Sequence, residues 1–123
     1  GLPIDSEHIV DWAERASVRL RSMGAPAVLI TLGARGCWYS GEEEFYMPSF
    51  QIDAVDATAA GDSFAGALAT ALSERQPIRS AIAFASAAGA VTASRAGAQL
   101  SIGSREAVET FLRDRSEEVE KMM

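Results

Sequence analysis

Residues 55–64, Val55-Asp56-Ala57-Thr58-Ala59-Ala60-Gly61-Asp62-Ser63-Phe64, carry the side chains and spacing best suited to chemistry. Small residues ahead of a helix let the backbone approach a ligand closely. The first amides of a helix have no partners within it and point outward. Together with the helix dipole, the N–H groups of Ala59, Ala60 and Gly61 would form an anion site. Asp62 falls in the same first turn, where the positive helix end favours an ionised carboxylate. Such a carboxylate can take a proton from an attacking hydroxyl while the amides steady charge on a transferring phosphoryl group. An acidic residue also simply favours a helix start, and the spacing alone leaves both readings open.

Two further segments hold weaker signals. Thr31-Leu32-Gly33-Ala34-Arg35-Gly36 puts glycines directly after an apolar run, at the sheet edge where α/β folds bind ligands. A tight hairpin accounts for both glycines as well. Ser94-Arg95-Ala96-Gly97-Ala98-Gln99-Leu100-Ser101 is a polar loop after an apolar helix, and an ordinary connection is its plainer reading. His8 falls in a first helical turn and is expected on the surface. Cys37 opens an apolar strand and reads as a small core residue rather than a nucleophile. Trp12 and Trp38 suit packing. Glu42, Glu43 and Glu44 read as a solvated hairpin tip, not a metal cluster.

The elements that must position these residues follow from apolar periodicity. Asp5 or Ser6 can cap a helix to about Ser22, with Ile9, Trp12, Ala13, Ala16, Leu20 and Met23 as its apolar stripe. Gly24 and Pro26 stop it. Residues 27–32 form a continuous apolar run, the pattern of a strand covered on both faces in a parallel sheet. Residues 37–40 and 44–47 are expected as strands around a hairpin tip at Gly41. A helix is expected from about Gly61 to Ser73. Pro77 suits the first position of another, reaching about Ala93. Residues 95–103 read as a loop. Ser104 starts a final helix bearing Val108, Phe111, Leu112 and Val119, with a charged, fraying end over 117–121. No repeat and no interdomain linker is evident. Helix, strands and a helical half together predict an α/β layered domain.

Composition narrows the chemistry. The 123 residues include 11 basic and 17 acidic ones, for a net charge of −6, and 48% are apolar. Length and apolar content fit one domain. The single histidine, His8, excludes a multi-histidine metal site. The single lysine, Lys121, excludes a Walker loop and argues against Schiff-base chemistry. One cysteine forbids an internal disulfide. The acidic balance disfavours nucleic acid and anionic membrane as partners. Residues 80–94, a 15-residue uncharged stretch, fall short of a membrane span. No basic segment followed by an apolar run opens the sequence, so a cytoplasmic location is expected. Gly1 in place of methionine points to a processed end, a tag remnant or a piece of something longer.

The three segments, in this order and spacing, resemble the C-terminal part of the ribokinase-like carbohydrate kinases, the PfkB family. That family's signature, Asp-Thr-x-Gly/Ala-Ala-Gly-Asp-x-Phe, stands here as Asp56-Ala57-Thr58-Ala59-Ala60-Gly61-Asp62-Ser63-Phe64. The resemblance runs from about residue 27 to residue 111. It implies a ribokinase-like three-layer α/β/α, Rossmann-like fold, and ATP-dependent phosphorylation of a sugar hydroxyl. The Ala-Ala-Gly-Asp form and the Gly97-Ala98-Gln99 loop point to ribose or a related pentose. By this resemblance Asp62 is the catalytic base and a substrate contact, and Ala59, Ala60 and Gly61 are the anion hole. Thr31, Gly33, Ala34, Arg35, Gly36, Gly61 and Ser86 would bind ATP. A monovalent cation, usually K+, would be held by the side chains of Asp56 and Ser101. Backbone carbonyls of Thr58, Thr92, Arg95 and Gly97 would complete its site.

Two positions depart from the pattern. Ala57 replaces a threonine, which removes a hydroxyl from the loop. Ala59 replaces a common glycine and still donates its N–H. The resemblance further implies that residues 1–123 are a C-terminal portion. The N-terminal sugar-binding and lid region, with the acidic motif that helps hold Mg2+, is absent, so this piece alone would be inactive. The full-length parent would be a homodimer. A nucleoside or fructose-phosphate kinase of the same family is the alternative within the class. A non-catalytic nucleotide- or sugar-sensing module is the alternative outside it.

Overall fold

The computed structural model describes residues 6–53, 59–94 and 105–123, the side chains of residues 6 and 7 excepted. The chain divides into two units, Gly1–Ser49 and Phe50–Met123.

The first unit opens with helix α1, Ser6–Ser22. Strands β1 (Val28–Thr31), β2 (Cys37–Ser40) and β3 (Glu44–Met47) follow as a meander in the order β1-β2-β3. The register pairs Val28 with Ser40 and Thr31 with Cys37, then Cys37 with Met47 and Ser40 with Glu44. Both ladders are antiparallel, against the expectation of a parallel sheet. A continuous run of branched apolar residues says nothing about strand direction. The short turn after β1 decides it, because a parallel crossover needs about a dozen residues or more. Among the described residues β1 pairs with β2 alone, and Val28, Leu29 and Ile30 are half-buried rather than covered.

The stripe expected on α1 is borne out only in part. Ala13 and Ser17 are buried completely, whereas Trp12, Leu20 and Met23 are exposed. Small residues form the seam because the large ring comes from the sheet. The Trp38 indole N–H donates to Ser17 Oγ at 3.0 Å, and that hydroxyl donates to Glu14 O at 2.7 Å. Arg21 adds a contact to the buried Ser40 hydroxyl at 3.3 Å. Ser17→Ala would leave the buried indole N–H without its acceptor. A loss of about 1–3 kcal/mol in urea denaturation is expected, and unchanged stability would overturn the assignment. Cys37 is buried as expected of a core residue, and burial pushes its thiol up to about 11.

The second unit is helical. Helix α2 spans Ala60–Ser73, α3 Ile78–Ala93, α4 Arg105–Asp114 and α5 Ser116–Met122. Helix α3 is the core element. Ala81, Ile82, Ala83, Ala85, Ala87, Ala88, Ala90, Val91, Thr92 and Ala93 are all buried, as befits a helix apolar nearly all round. Between α2 and α3 the chain turns through Arg75 in the left-handed region, at φ 60°. The Gln76 N–H closes back on Ala71 O at 3.1 Å, the pattern that ends many helices. Pro77 flanks α3 rather than opening it, because its ψ of 147° is extended.

The single final helix expected from the sequence is two helices, and the charged end expected to fray is helical to Met122. Met122 is buried, and its carbonyl accepts from Arg79 at 3.4 Å. Arg115 lies between the two helices and stacks 4.9 Å above Phe111. It donates to Gln51 O at 2.7 Å and to Glu118 at 2.8 Å. The Arg115 hydrogen bond holds the Glu118 carboxyl below its ordinary range. Phe50 meets Phe111 edge to face at 5.1 Å. Among the described residues, no helix is long and apolar enough to cross a membrane.

Candidate active site

Helix α2 begins where the sequence places an anion site. The Ser63 N–H bonds Ala59 O at 3.0 Å, so Ala59 flanks the helix and Ala60, Gly61 and Asp62 form its first turn. Their amides have no acceptor within the helix, and Ala59 offers no side-chain cap. Among the described residues, a Cβ built on Gly61 would meet nothing within 4 Å, so none of them fills the space an incoming group would take. These are the properties a bound phosphate needs, and the residues present fit one.

Asp62 is exposed and lines a cleft of about 370 Å³. Ser63, Gly66, Ala67 and Thr70 continue its wall along α2. Phe84 and Ala88 enter from α3, and Arg105 and Val108 from α4. The cleft thus pairs one carboxylate with one guanidinium over a largely apolar floor. Arg105 is fixed by two hydrogen bonds to Glu74, one of 2.8 Å, and lies 5.4 Å from the Phe84 ring centre. Those bonds hold the Glu74 carboxyl below its ordinary range and raise Arg105. Neither Arg105 nor Phe84 was identifiable from sequence. Arg105 is 31 residues from Glu74, and no local pattern announces the pair.

The turn after β1 is shaped by its own backbone. Gly33–Arg35 is a single turn of 3₁₀ helix, and the Leu32 N–H bonds Gly36 O at 2.7 Å. Gly33 and Gly36 both take positive φ, 60° and 98°. The Tyr46 hydroxyl donates to the Arg35 carbonyl and ties the turn to β3. Thr31, Gly33, Ala34 and Arg35 are exposed, and Gly36 is half-buried. Ser86 lies half-buried on α3.

Of the residues expected around a monovalent cation, Thr92 alone falls in the described part. It sits in the last turn of α3, where carbonyls outrun their amide partners and the dipole favours positive charge. Asp56, Thr58, Arg95, Gly97 and Ser101 lie outside the described residues, as do Ala57 and the Gly97-Ala98-Gln99 loop. Among the described residues no group of His, Cys, Asp and Glu could hold a metal ion.

The family model for pfkB family carbohydrate kinases matches residues 6–105. The ribokinase of Haemophilus influenzae is 39% identical over 101 residues, covering 81% of this chain and 33% of that protein. The crystal structure of ribokinase from Thermotoga maritima superposes with a TM-score of 0.76 at 42% identity, over 81% of this chain and 34% of that one. Arabidopsis thaliana ribokinase, complexed with ribose and ATP, gives 0.77 at 29% identity, over 87% and 34%. The chain therefore spans about a third of the length of these relatives.

Proposed function

Because the chain belongs to the pfkB family of carbohydrate kinases, we propose that it is the C-terminal, catalytic portion of a kinase moving the γ-phosphoryl of ATP to a sugar hydroxyl. Ribose or a related pentose is the proposed acceptor. The observation that supports this most is the start of α2. Open amides and an exposed carboxylate share one helical turn at the mouth of a cleft.

The chemistry divides among a few groups. Asp62 accepts the proton of the attacking hydroxyl, which becomes nucleophilic as the new O–P bond forms. The amides of Ala59, Ala60 and Gly61 face the transferring phosphoryl and match its charge without reorganising. In the first unit, the turn over residues 31–36 contacts the nucleotide. Mg2+ bound with ATP would offset phosphate charge. The carbonyl of Thr92, with Asp56, Thr58, Arg95, Gly97 and Ser101, would hold K+.

The test uses ATP, Mg2+ and K+ with a panel of ribose, fructose and nucleosides. In the intact polypeptide carrying this segment, ADP release should depend on sugar and be fastest with ribose. Release indifferent to any sugar would overturn the reading. The 123-residue chain alone should show no ribose phosphorylation above background. Robust turnover by it would overturn the assignment of the sugar-binding parts to an additional region.

A further inference from the structure

Ser63 follows Asp62 in the first turn of α2, and its hydroxyl lies 2.7 Å from Thr92 Oγ1. Thr92 is in the last turn of α3, 29 residues away, and is completely buried. A second contact falls on the same turn. A Cβ on Gly89 would sit 3.3 Å from Ala60 O and 3.8 Å from Phe64 Cβ, so α3 passes the start of α2 closely.

Sterics at Gly89 set how near the helices come. A hydroxyl pair at 2.7 Å adds a directional tie, because a short O–H···O bond constrains angle as well as distance. Removing either hydroxyl breaks it. Asp62 has a short side chain, so its aim follows the backbone of this turn. The amides of Ala60 and Gly61 belong to that backbone outright.

We propose that Ser63 and Thr92 are positioning residues for phosphoryl transfer: their hydroxyl pair fixes the first turn of α2 against α3 and so aims the Asp62 carboxylate and the Ala60 and Gly61 amides. This rests on the reading of Asp62 as the base. The role assigned to both hydroxyls is to hold backbone, not to touch the reacting atoms. Their effect is on geometry, where misplacement by about 1 Å can cost about a hundredfold in rate.

The experiment compares Ser63→Ala, Thr92→Val, the double variant and Thr92→Ser in the intact kinase, with Asp62→Asn alongside. Ser63→Ala and Thr92→Val should each lower kcat about tenfold to a hundredfold, with the sugar KM within about twofold of wild type. The double variant should be no slower than the worse single, since the Ser63–Thr92 bond is lost in every case. Thr92→Ser, which keeps the hydroxyl, should restore most of kcat. A purely structural tie would lower Tm and leave kcat per folded enzyme unchanged, and that result overturns the proposal. Ser63→Ala decides alone if Thr92→Val does not fold. If Asp62→Asn is inactive and Ser63→Ala turns over normally, the positioning role falls and the base assignment stands. If Asp62→Asn turns over normally, both fall.

Discussion

Asp62→Asn in the intact kinase should lower kcat by about 10²–10⁴-fold while leaving the fold and sugar binding as they were. Asparagine has the same shape and suits a helix start as well as aspartate does. Asp62 is exposed and no ion pair holds it among the described residues, so stability should change little. What disappears is the ability to accept a proton. The sign of the ATP effect is the discriminating measurement. Asp62 shares its turn with the amides proposed to hold phosphate. Removing a negative charge there should leave the KM for ATP unchanged or lower it. If the carboxylate instead served to hold a cation bridging to the phosphates, the same change would raise that KM. An inactive variant with unaltered or tighter ATP binding fits a base, because the lost interaction belongs to the transition state alone. Near wild-type turnover would sink the assignment.

Much of the local structure follows from sequence pattern. The strands over 37–40 and 44–47 and a helix from about Gly61 to Ser73 follow from local pattern, and the structure has the strands there and the helix over Ala60–Ser73. The chemistry proposed around Asp62 draws on neighbours in sequence, which a helix start brings into one turn. What could not be read is whatever depends on contacts between distant segments. The buried face of α1 is one case: Ser17 reads as polar, yet it is buried because Trp38, 21 residues away, needs an acceptor. The direction of β1 is another, since apolarity reports cover and not pairing. The Ser63–Thr92 bond, the Glu74–Arg105 pair and the burial of Met122 all join residues with no local signature. Asp56 and Ala57, at the start of the signature, and the loop after α3 fall outside the described residues.

Gly36→Ala should be the most damaging single change in the first unit. Gly36 has φ 98° and ψ −142°, near a region that only glycine occupies readily. A Cβ there would lie 2.1 Å from Met47 O and 2.9 Å from Pro48 Cα. Both obstacles are backbone, so no side chain can swing aside. Either β3 shifts at its end or the Leu32–Gly36 hydrogen bond opens. The conformation alone costs about 1–3 kcal/mol, and the overpacking adds about 1–3 kcal/mol. A sum of about 2–6 kcal/mol is a large part of ordinary domain stability. Gly33 supplies the control. Its φ of 60° is also left-handed, but a Cβ there meets nothing within 4 Å. Gly33→Ala should cost only about 1–2 kcal/mol and leave the turn in place. Urea denaturation therefore separates the two variants, and nucleotide affinity assigns the turn its function. A Gly33→Ala kinase that folds but binds ATP several-fold more weakly would mean the new methyl occupies space the nucleotide needs. If it binds ATP as tightly as the wild type, the nucleotide does not approach the turn at Gly33, and the proposed contact there falls. If Gly36→Ala is as stable as the wild type, the close approach of this turn to β3 is not what holds it.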